Sequence, residues 1–353
     1  MYILVAILIF GILIFVHELG HFLAAKAFGV RVNEFAICMG PAIWQKQVGE
    51  TTYSLRCIPI GGFCAMEGED EKSNDPGAFT SARRWKRAII LVAGSVMNFI
   101  TGLLILAIMF STVSAFSTPT IADFYEGCPY EGAEALQVGD TLYEIDGRRV
   151  YLYSDVSMLL NRNKTGVFDL KVKRDGELVE LEDFPMTPQP YEEDGKTVYR
   201  YGLYFGSEEK TFGTVLKNAW YSTVDFARMV WMSLEDLISG LVSVNDMSGP
   251  VGIVSVIAET GASAKTTGAA VKNIAYLAAF IAVNLAVMNM LPIPALDGGR
   301  VFFLLITAFV ERIIGKKVDP KYEGYIHAAG MILLLAFIAY VSFRDVWKLF
   351  AGV

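Results

Sequence analysis

Charge is scarce in this chain. Of 353 residues, 19% are Asp, Glu, Lys or Arg and 54% are hydrophobic, with a mean hydropathy of +0.43; a soluble domain carries about 25% charged residues. That shortage excludes a soluble protein of ordinary make-up and leaves a membrane protein with watery parts. Basic residues are outnumbered, 30 Lys and Arg against 37 Asp and Glu, and the formal net charge of -7 argues against a nucleic-acid partner. Cysteine is limited to Cys38, Cys57, Cys64 and Cys128. None forms a Cys-x-x-Cys pair, which excludes a zinc ribbon and a thioredoxin-like redox pair and requires no structural disulfide. The N-terminus lacks the basic start of a secretory signal, and its apolar run continues to Ala27, so it reads as a retained span.

Histidine is scarcer still, three in all, yet two fall together inside that first apolar run: Val16-His17-Glu18-Leu19-Gly20-His21-Phe22. Ionisable groups in hydrocarbon are expensive and mark function. The spacing is that of the His-Glu-x-x-His zinc motif, which on a helix sets both imidazoles on one face with the carboxylate beside them. A chance match in a soluble helix is the bland alternative, and the apolar flanks weigh against it, because unpartnered polar groups in lipid are costly. The expectation is a zinc site buried within a membrane, with Glu18 as general base for hydrolysis.

Further apolar runs cover Ala88 to about Ala115, Ile274 to Leu291 and Ile326 to Val341, each near the roughly 20 residues that cross a bilayer. The shorter stretch from Val301 to Val310 reads as re-entrant or interfacial. Lys26 and Arg31, then Arg83, Arg84, Lys86 and Arg87, then Arg312, Lys316, Lys317 and Lys321 mark the cytoplasmic segments. The long polar region from Phe116 to Lys272 and both chain ends are then expected outside, with His17 and His21 toward the cytoplasmic side.

Zinc needs a third protein ligand and an open position for water. His327, at the start of the fourth span, is one candidate. Asp297, in Asn289-Met290-Leu291-Pro292-Ile293-Pro294-Ala295-Leu296-Asp297-Gly298-Gly299, is the better one, since the third span ends on the same side as the histidines. Two prolines deny this segment a helix and the glycines let backbone approach closely. Between the first two spans, Glu34–Cys38, Ala42–Trp44 and Thr51–Cys57 read as short strands with turns at Met39-Gly40-Pro41 and Gly49-Glu50. In the external region, Gly127 to Val150 and strand signals at Val167–Val172 and Leu178–Leu181 indicate a β-rich module. Thr211 to Val244 shows apolar residues at helical spacing broken by charges, which fits either a helix at the membrane interface or one packed in the external domain.

Taken together, His17-Glu18-x-x-His21, Asn289-x-x-Pro292-x-Pro294-x-Leu296-Asp297-Gly298, Pro59-Ile60-Gly61-Gly62-Phe63, Gly94-x-x-x-Asn98-Phe99 and Ser248-Gly249-Pro250-Val251-Gly252-Ile253 resemble the site-2 protease family of intramembrane zinc metalloproteases, in its bacterial form with an extracytoplasmic PDZ domain. Ser95 departs from the pattern, where many relatives carry proline. The resemblance implies a polytopic α-helical membrane protein of about four transmembrane helices, a membrane-associated β-hairpin loop and an α+β PDZ domain. It implies His17, His21 and Asp297 as Zn2+ ligands, Glu18 as the catalytic glutamate, and Asn289, Gly61, Gly62 and Phe63 as substrate-binding residues. The corresponding organisation is 1–30 first helix, 31–87 re-entrant β-loop with an edge strand near Gly61–Met66, 88–115 second helix, 118–188 PDZ domain, 189–271 extracytoplasmic segment with the amphipathic helix, 272–310 third helix and ligand turn, and 311–353 loop and fourth helix. Implied partners are the lipid bilayer, membrane-protein substrates trimmed beforehand by another protease, and a peptide ligand of the PDZ groove. The implied location is the inner or plasma membrane. An inert scaffold would not need the whole catalytic set. A zinc transporter would show repeated ligand clusters, and none is seen.

Overall fold

The computed structural model describes residues 2–69, 73–193, 195–243, 247–315 and 320–351. The elements run α1 (Tyr2–Ala27), β1 (Val32–Val48), β2 (Thr51–Met66), α2 (Arg84–Phe110), β3 (Ala115–Phe124), β4 (Thr141–Ile145), β5 (Arg148–Arg149), α3 (Tyr153–Arg162), β6 (Val167–Arg174), β7 (Glu177–Pro185), β8 (Gln189–Glu193), β9 (Lys196–Arg200), β10 (Leu203–Glu209), α4 (Phe212–Ser239), α5 (Pro250–Ala262), α6 (Thr267–Asn289), α7 (Asp297–Ile314) and α8 (Pro320–Ala351). They form two compact units, Met1–Leu106 with Phe226–Val353, and Ala107–Asp225.

Among the described residues, four helices are long and apolar enough to cross a membrane: Tyr2–Ala27, Arg84–Phe110, Thr267–Asn289 and Gly324–Lys348. The chain is a multi-pass membrane protein. The second span begins at Arg84 and ends at Phe110, each a turn earlier than the expected 88–115, and Ala115 already belongs to β3. Ser111, Thr112 and Ser114 lie between the helix end at Phe110 and that strand. The stretch 301–310 lies within α7, which is not among the four. Of the basic residues expected to mark one side, Lys316 and Lys317 lie outside the described residues.

Local chemistry sets the helix ends. Thr266 caps α6 by accepting the Ala269 N–H at 3.1 Å. Pro250 occupies the first turn of α5, where its missing N–H costs nothing, and the Asp345 carboxylate of α8 accepts the N–H groups of Gly249 and Gly252 at 2.8 and 2.9 Å. That contact accounts for the Ser248–Ile253 motif: a Cβ at Gly249 would stand 2.8 Å from Asp345 Oδ2. Beyond α6, Pro292 and Pro294 prevent helical continuation until Asp297 opens α7.

The long ribbon of β1 and β2 folds on itself. Cys38 and Gly40 in β1 and Gly61 in β2 carry positive φ, which breaks each strand into two segments. Residues 34–37 pair with 52–55 on one side and 62–65 on the other, while 42–48 pair with 51–56. The order is therefore 42–48, 51–56, 32–37, 62–66, with 32–37 parallel to 51–56 and the two outer segments antiparallel to their neighbours. Among the described pairings the outer side of 62–66 carries no strand. Val32, Phe35, Cys64 and Met66 bury their side chains in one cluster with Ala25 of α1 and Ile90 and Leu91 of α2, which seats the ribbon beside the first two helices.

The second unit is a six-stranded antiparallel sheet, order β10-β3-β4-β6-β7 with β5 on β4. It encloses a core of Ile121, Leu136, Leu142, Ile145, Leu159, Phe168, Leu170 and Val172, with α3 packed on it. The sheet extends past Pro188: β10 pairs with β3 (Leu203↔Phe124, Glu209↔Ala115). Sequence order alone gave no sign that a strand this far along the chain returns to pair with the first.

Candidate metal centre

Helical spacing puts His17 and His21 on one face of α1, and both are buried, at 9% and 5% exposure. Their Nε2 atoms lie 3.2 Å apart. Asp297, the first residue of α7, brings its Oδ2 to 3.1 Å from His17 Nε2 and 3.2 Å from His21 Nε2. The irregular segment after α6 folds back tightly to deliver it: a Cβ at Gly298 would lie 2.2 Å from the Met290 carbonyl carbon, and one at Gly299 2.1 Å from the Ile293 oxygen. No side chain larger than hydrogen fits at either position.

The protons on the rings follow from their other contacts. His21 Nδ1 lies 2.8 Å from the Ile90 carbonyl oxygen. A carbonyl only accepts, so Nδ1 carries the proton and Nε2 presents a lone pair. His17 Nδ1 faces the Asn98 amide at 3.4 Å. Asn98 is 1% exposed, and its Oδ1 is buried without a hydrogen-bond partner. Amide orientation is an assignment from the hydrogen-bond network; with Oδ1 toward the ring, His17 Nδ1–H gains an acceptor and its Nε2 also presents a lone pair.

Two imidazole lone pairs and a carboxylate oxygen thus converge, and Asp297 Oδ2 is buried with no donor. Such a cluster is repulsive unless a cation sits among its members. Zinc ligands about 2.0–2.1 Å from the metal at tetrahedral angles stand roughly 3.3 Å apart, close to the separations here. Among the described residues, His17, His21 and Asp297 are the one group of this kind.

The second span approaches closely to hold the imidazoles. A Cβ on Gly94 would stand 2.3 Å from His21 Nε2, and one on Gly20 2.5 Å from the Ala93 oxygen. Reading the sequence for chemistry passed over Gly20, Ile90 and the parts played by Gly94 and Asn98. The signal was a glycine next to His21 on α1 and another four residues before Asn98 on α2, but small-residue contacts are invisible without the partner helix. Ser95 is buried and its Oγ has no partner.

Glu18 is half-buried. A Cβ on Gly62, in the outer segment of the ribbon, would stand 3.6 Å from Glu18 Cγ, so that open edge runs past the carboxylate. Gly61, with φ of 86°, packs against Met39. Phe63, on the alternate face, lies under the Arg56 guanidinium at 4.9 Å. Asn289, at the end of α6, directs Nδ2 to 3.4 Å from His17 Nε2. Cys64 is buried next to this region; burial first, then the charges of Glu18 and Glu69, pushes its thiol well above the ordinary cysteine range, so it stays protonated. The structure brings His17, Glu18, His21, Gly62, Asn289 and Asp297 together. Phe63 and His327 stand outside this cluster.

The sequence matches peptidase family M50 over residues 5–337. It is 37% identical to the "Putative zinc metalloprotease" of Clostridium acetobutylicum, covering 98% of this chain and 97% of that one. It is 35% identical to the Fusobacterium nucleatum protein of the same name over 98% and 99% of the two chains. It is 29% identical to the Regulator of sigma-W protease RasP of Bacillus subtilis, over 98% of each chain. Similarity of this depth along the whole length, joined to a cluster chemically suited to zinc, has one reading: the chain belongs to peptidase family M50, the site-2 protease family, and is a zinc metalloendopeptidase of the membrane.

Proposed function

We propose that His17, His21 and Asp297 hold the zinc ion, and that Glu18 serves as general base and acid in hydrolysing peptide bonds within or near the membrane-spanning segments of other proteins. The convergence of three acceptor atoms, 3.1–3.2 Å apart, beside Glu18 carries this reading. When bound, zinc activates water and polarises the scissile carbonyl. Glu18, beside these residues, would take a proton from the attacking water and pass it to the leaving nitrogen. The Asn98 and Ile90 contacts fix the ring orientations so that both Nε2 atoms stay available. Asn289 offers its amide N–H to the substrate backbone next to the site.

A substrate helix in lipid has all its amides bonded internally, so cleavage requires unwinding. The outer edge of 62–66 offers main-chain pairing to an extended segment, as in strand addition, and the position of Gly62 beside Glu18 supports this. The basic residues flanking the spans support a catalytic site toward the cytoplasmic side. The sheet unit fits a PDZ-like module on the opposite side, which admits substrates already shortened by an earlier cleavage. The likeness to RasP, named as a regulator of sigma-W, supports membrane-tethered regulators of the anti-sigma kind as substrates; leftover signal peptides are the second class.

The test compares membrane-protein fragments in cells carrying the parent protein and Glu18→Gln. Substrate stubs are expected to accumulate with the variant while the purified variant retains zinc. Normal turnover by Glu18→Gln would overturn the assignment.

A further inference from the structure

His327 is the third histidine of the chain, and nothing in the chemistry above uses it. It sits on α8, and its Nδ1 lies 3.0 Å from the backbone nitrogen of Ala295, whose N–H donates to it. The loop before Asp297 is poor in N–H groups, because Pro292 and Pro294 have none. Ile293 N–H bonds to the Leu291 oxygen at 2.7 Å and Leu296 N–H to the Ile293 oxygen at 3.2 Å. Ala295 alone depends on a side chain from another element, and an unmet N–H at membrane depth is costly.

Ala295 also has φ of 83°, in the left-handed region that a residue with a Cβ adopts only when its surroundings enforce it. Those surroundings are α8. One turn beyond His327, a Cβ on Gly330 would fall 2.4 Å from Pro294 Cβ and 2.9 Å from the Pro294 oxygen, so the glycine lets the helix bear directly on the loop. Phe303 of α7 meets the His327 ring edge-on, centroids 5.3 Å apart. His327 and Gly330 thus share one helical face against Pro294 and Ala295, two residues from the carboxylate that completes the metal cluster.

We propose that His327 is a positioning residue for the metal centre: by accepting the Ala295 N–H it holds the loop in the conformation that aims Asp297 at the two imidazoles. This rests on the reading of Asp297 as a zinc ligand. An acceptor at the Nδ1 position is what the role requires, so the neutral ring is the working form. The fourth span then contributes to zinc binding without contributing a ligand.

The test uses the purified full-length protein and reads zinc retention against a graded chelator, together with the visible absorption of the cobalt-substituted form. His327→Leu is expected to weaken metal retention by about 10- to 100-fold, the range for loss of a group that orients a ligand, and to alter the cobalt bands. His327→Asn, whose Oδ1 falls near the place of Nδ1, is expected to restore both. His327→Gln, with its oxygen one bond further out, is expected to behave like leucine and replaces it if the leucine variant does not accumulate. Retention equal to the parent in His327→Leu and His327→Gln, or no advantage of Asn over Gln, overturns the proposal. Asp297→Ala run in parallel separates the two levels: if it keeps full zinc, the ligand assignment itself is wrong; if it loses zinc while the His327 variants keep theirs, only the positioning role falls.

Discussion

The two units of this protein turn their apolar residues in opposite directions. On α8, Ile332, Leu333 and Leu335 are 57–72% exposed, and 6% of the span is buried; in the sheet unit, Ile121, Leu142 and Phe168 are at most 1% exposed. A lipid-facing helix gains nothing by hiding its leucines, so helix association there depends on close contact of small residues and on polar groups. Gly20, Gly94 and Gly330 supply the close contacts. In water, burial of apolar area is the dominant force, and the sheet unit uses large side chains for it. Buried polar groups differ in kind as well. Asp140 of the sheet unit is fully satisfied, by Arg174 at 2.8 Å to each oxygen and by the Gln137 N–H, whereas His17, His21 and Asp297 leave acceptors facing one another. The first arrangement is a structural lock and the second a donor set suited to a cation.

The largest effect is expected where a methyl group would collide with the cluster of His17, His21 and Asp297. Gly94→Ala places its Cβ 2.3 Å from His21 Nε2, and zinc retention in a chelator titration should fall by more than roughly 100-fold, beyond the usual loss of an orienting group. Gly11→Ala on α1, with nothing within 4 Å, should leave retention unchanged. Equal behaviour of the two would break the claim that small residues are chosen for contact.

Next is the lock of the sheet unit. Arg174→Met strands the buried Asp140 carboxylate and should cost about 3–5 kcal/mol, read as a lower melting temperature of that unit with zinc content intact. An unshifted transition would mean the charge pair is incidental.

One substitution made in both environments sharpens the contrast further. Leu333→Lys on α8 should disfavour insertion by roughly 3 kcal/mol, measured with a membrane-insertion reporter. Leu178→Lys on β7, 54% exposed, should stay within about 0.5 kcal/mol in thermal unfolding. Similar penalties at both sites would deny that the exposed face of α8 meets lipid.

The smallest effect concerns the ribbon. Burial alone would raise the Glu34 carboxyl, but hydrogen bonds from Ser54 and Arg56 outweigh it and hold the group below the usual carboxylate range. A depressed value contributes stability above the unfolded pKa and loses it as pH falls through the folded one. Glu34→Gln should therefore cost less than about 1 kcal/mol at pH 7, with the difference closing below pH ~4. A difference that grows on acidification would contradict the sign.

How much could be read beforehand follows from the range of the forces involved. Four spans were legible because hydropathy is a property of contiguous residues, although the helix of the second ends at Phe110, before the expected Ala115. The ends of the sheet unit were less legible, since β10 joins β3 across most of that unit and no local pattern announces the pairing. His17, Glu18 and His21 were legible from spacing within one helix, and the preference for Asp297 over His327 came from the third span ending on the same side as the histidines.

By itself, then, the sequence determined which segments enter lipid, that two imidazoles and a carboxylate share a helix face there, and that prolines interrupt the chain before Asp297. Tertiary structure alone decided that Asp297 Oδ2 meets both Nε2 atoms, that Asn98 and Ile90 lie against the two Nδ1 atoms, that Gly62 passes beside Glu18, and that His327 bears on the loop before Asp297. The physical reason is that helical spacing and desolvation act within a segment. The meeting of residues separated by most of the chain depends on how closely helices approach, which here rests on glycines whose meaning appears only when their neighbours are in place.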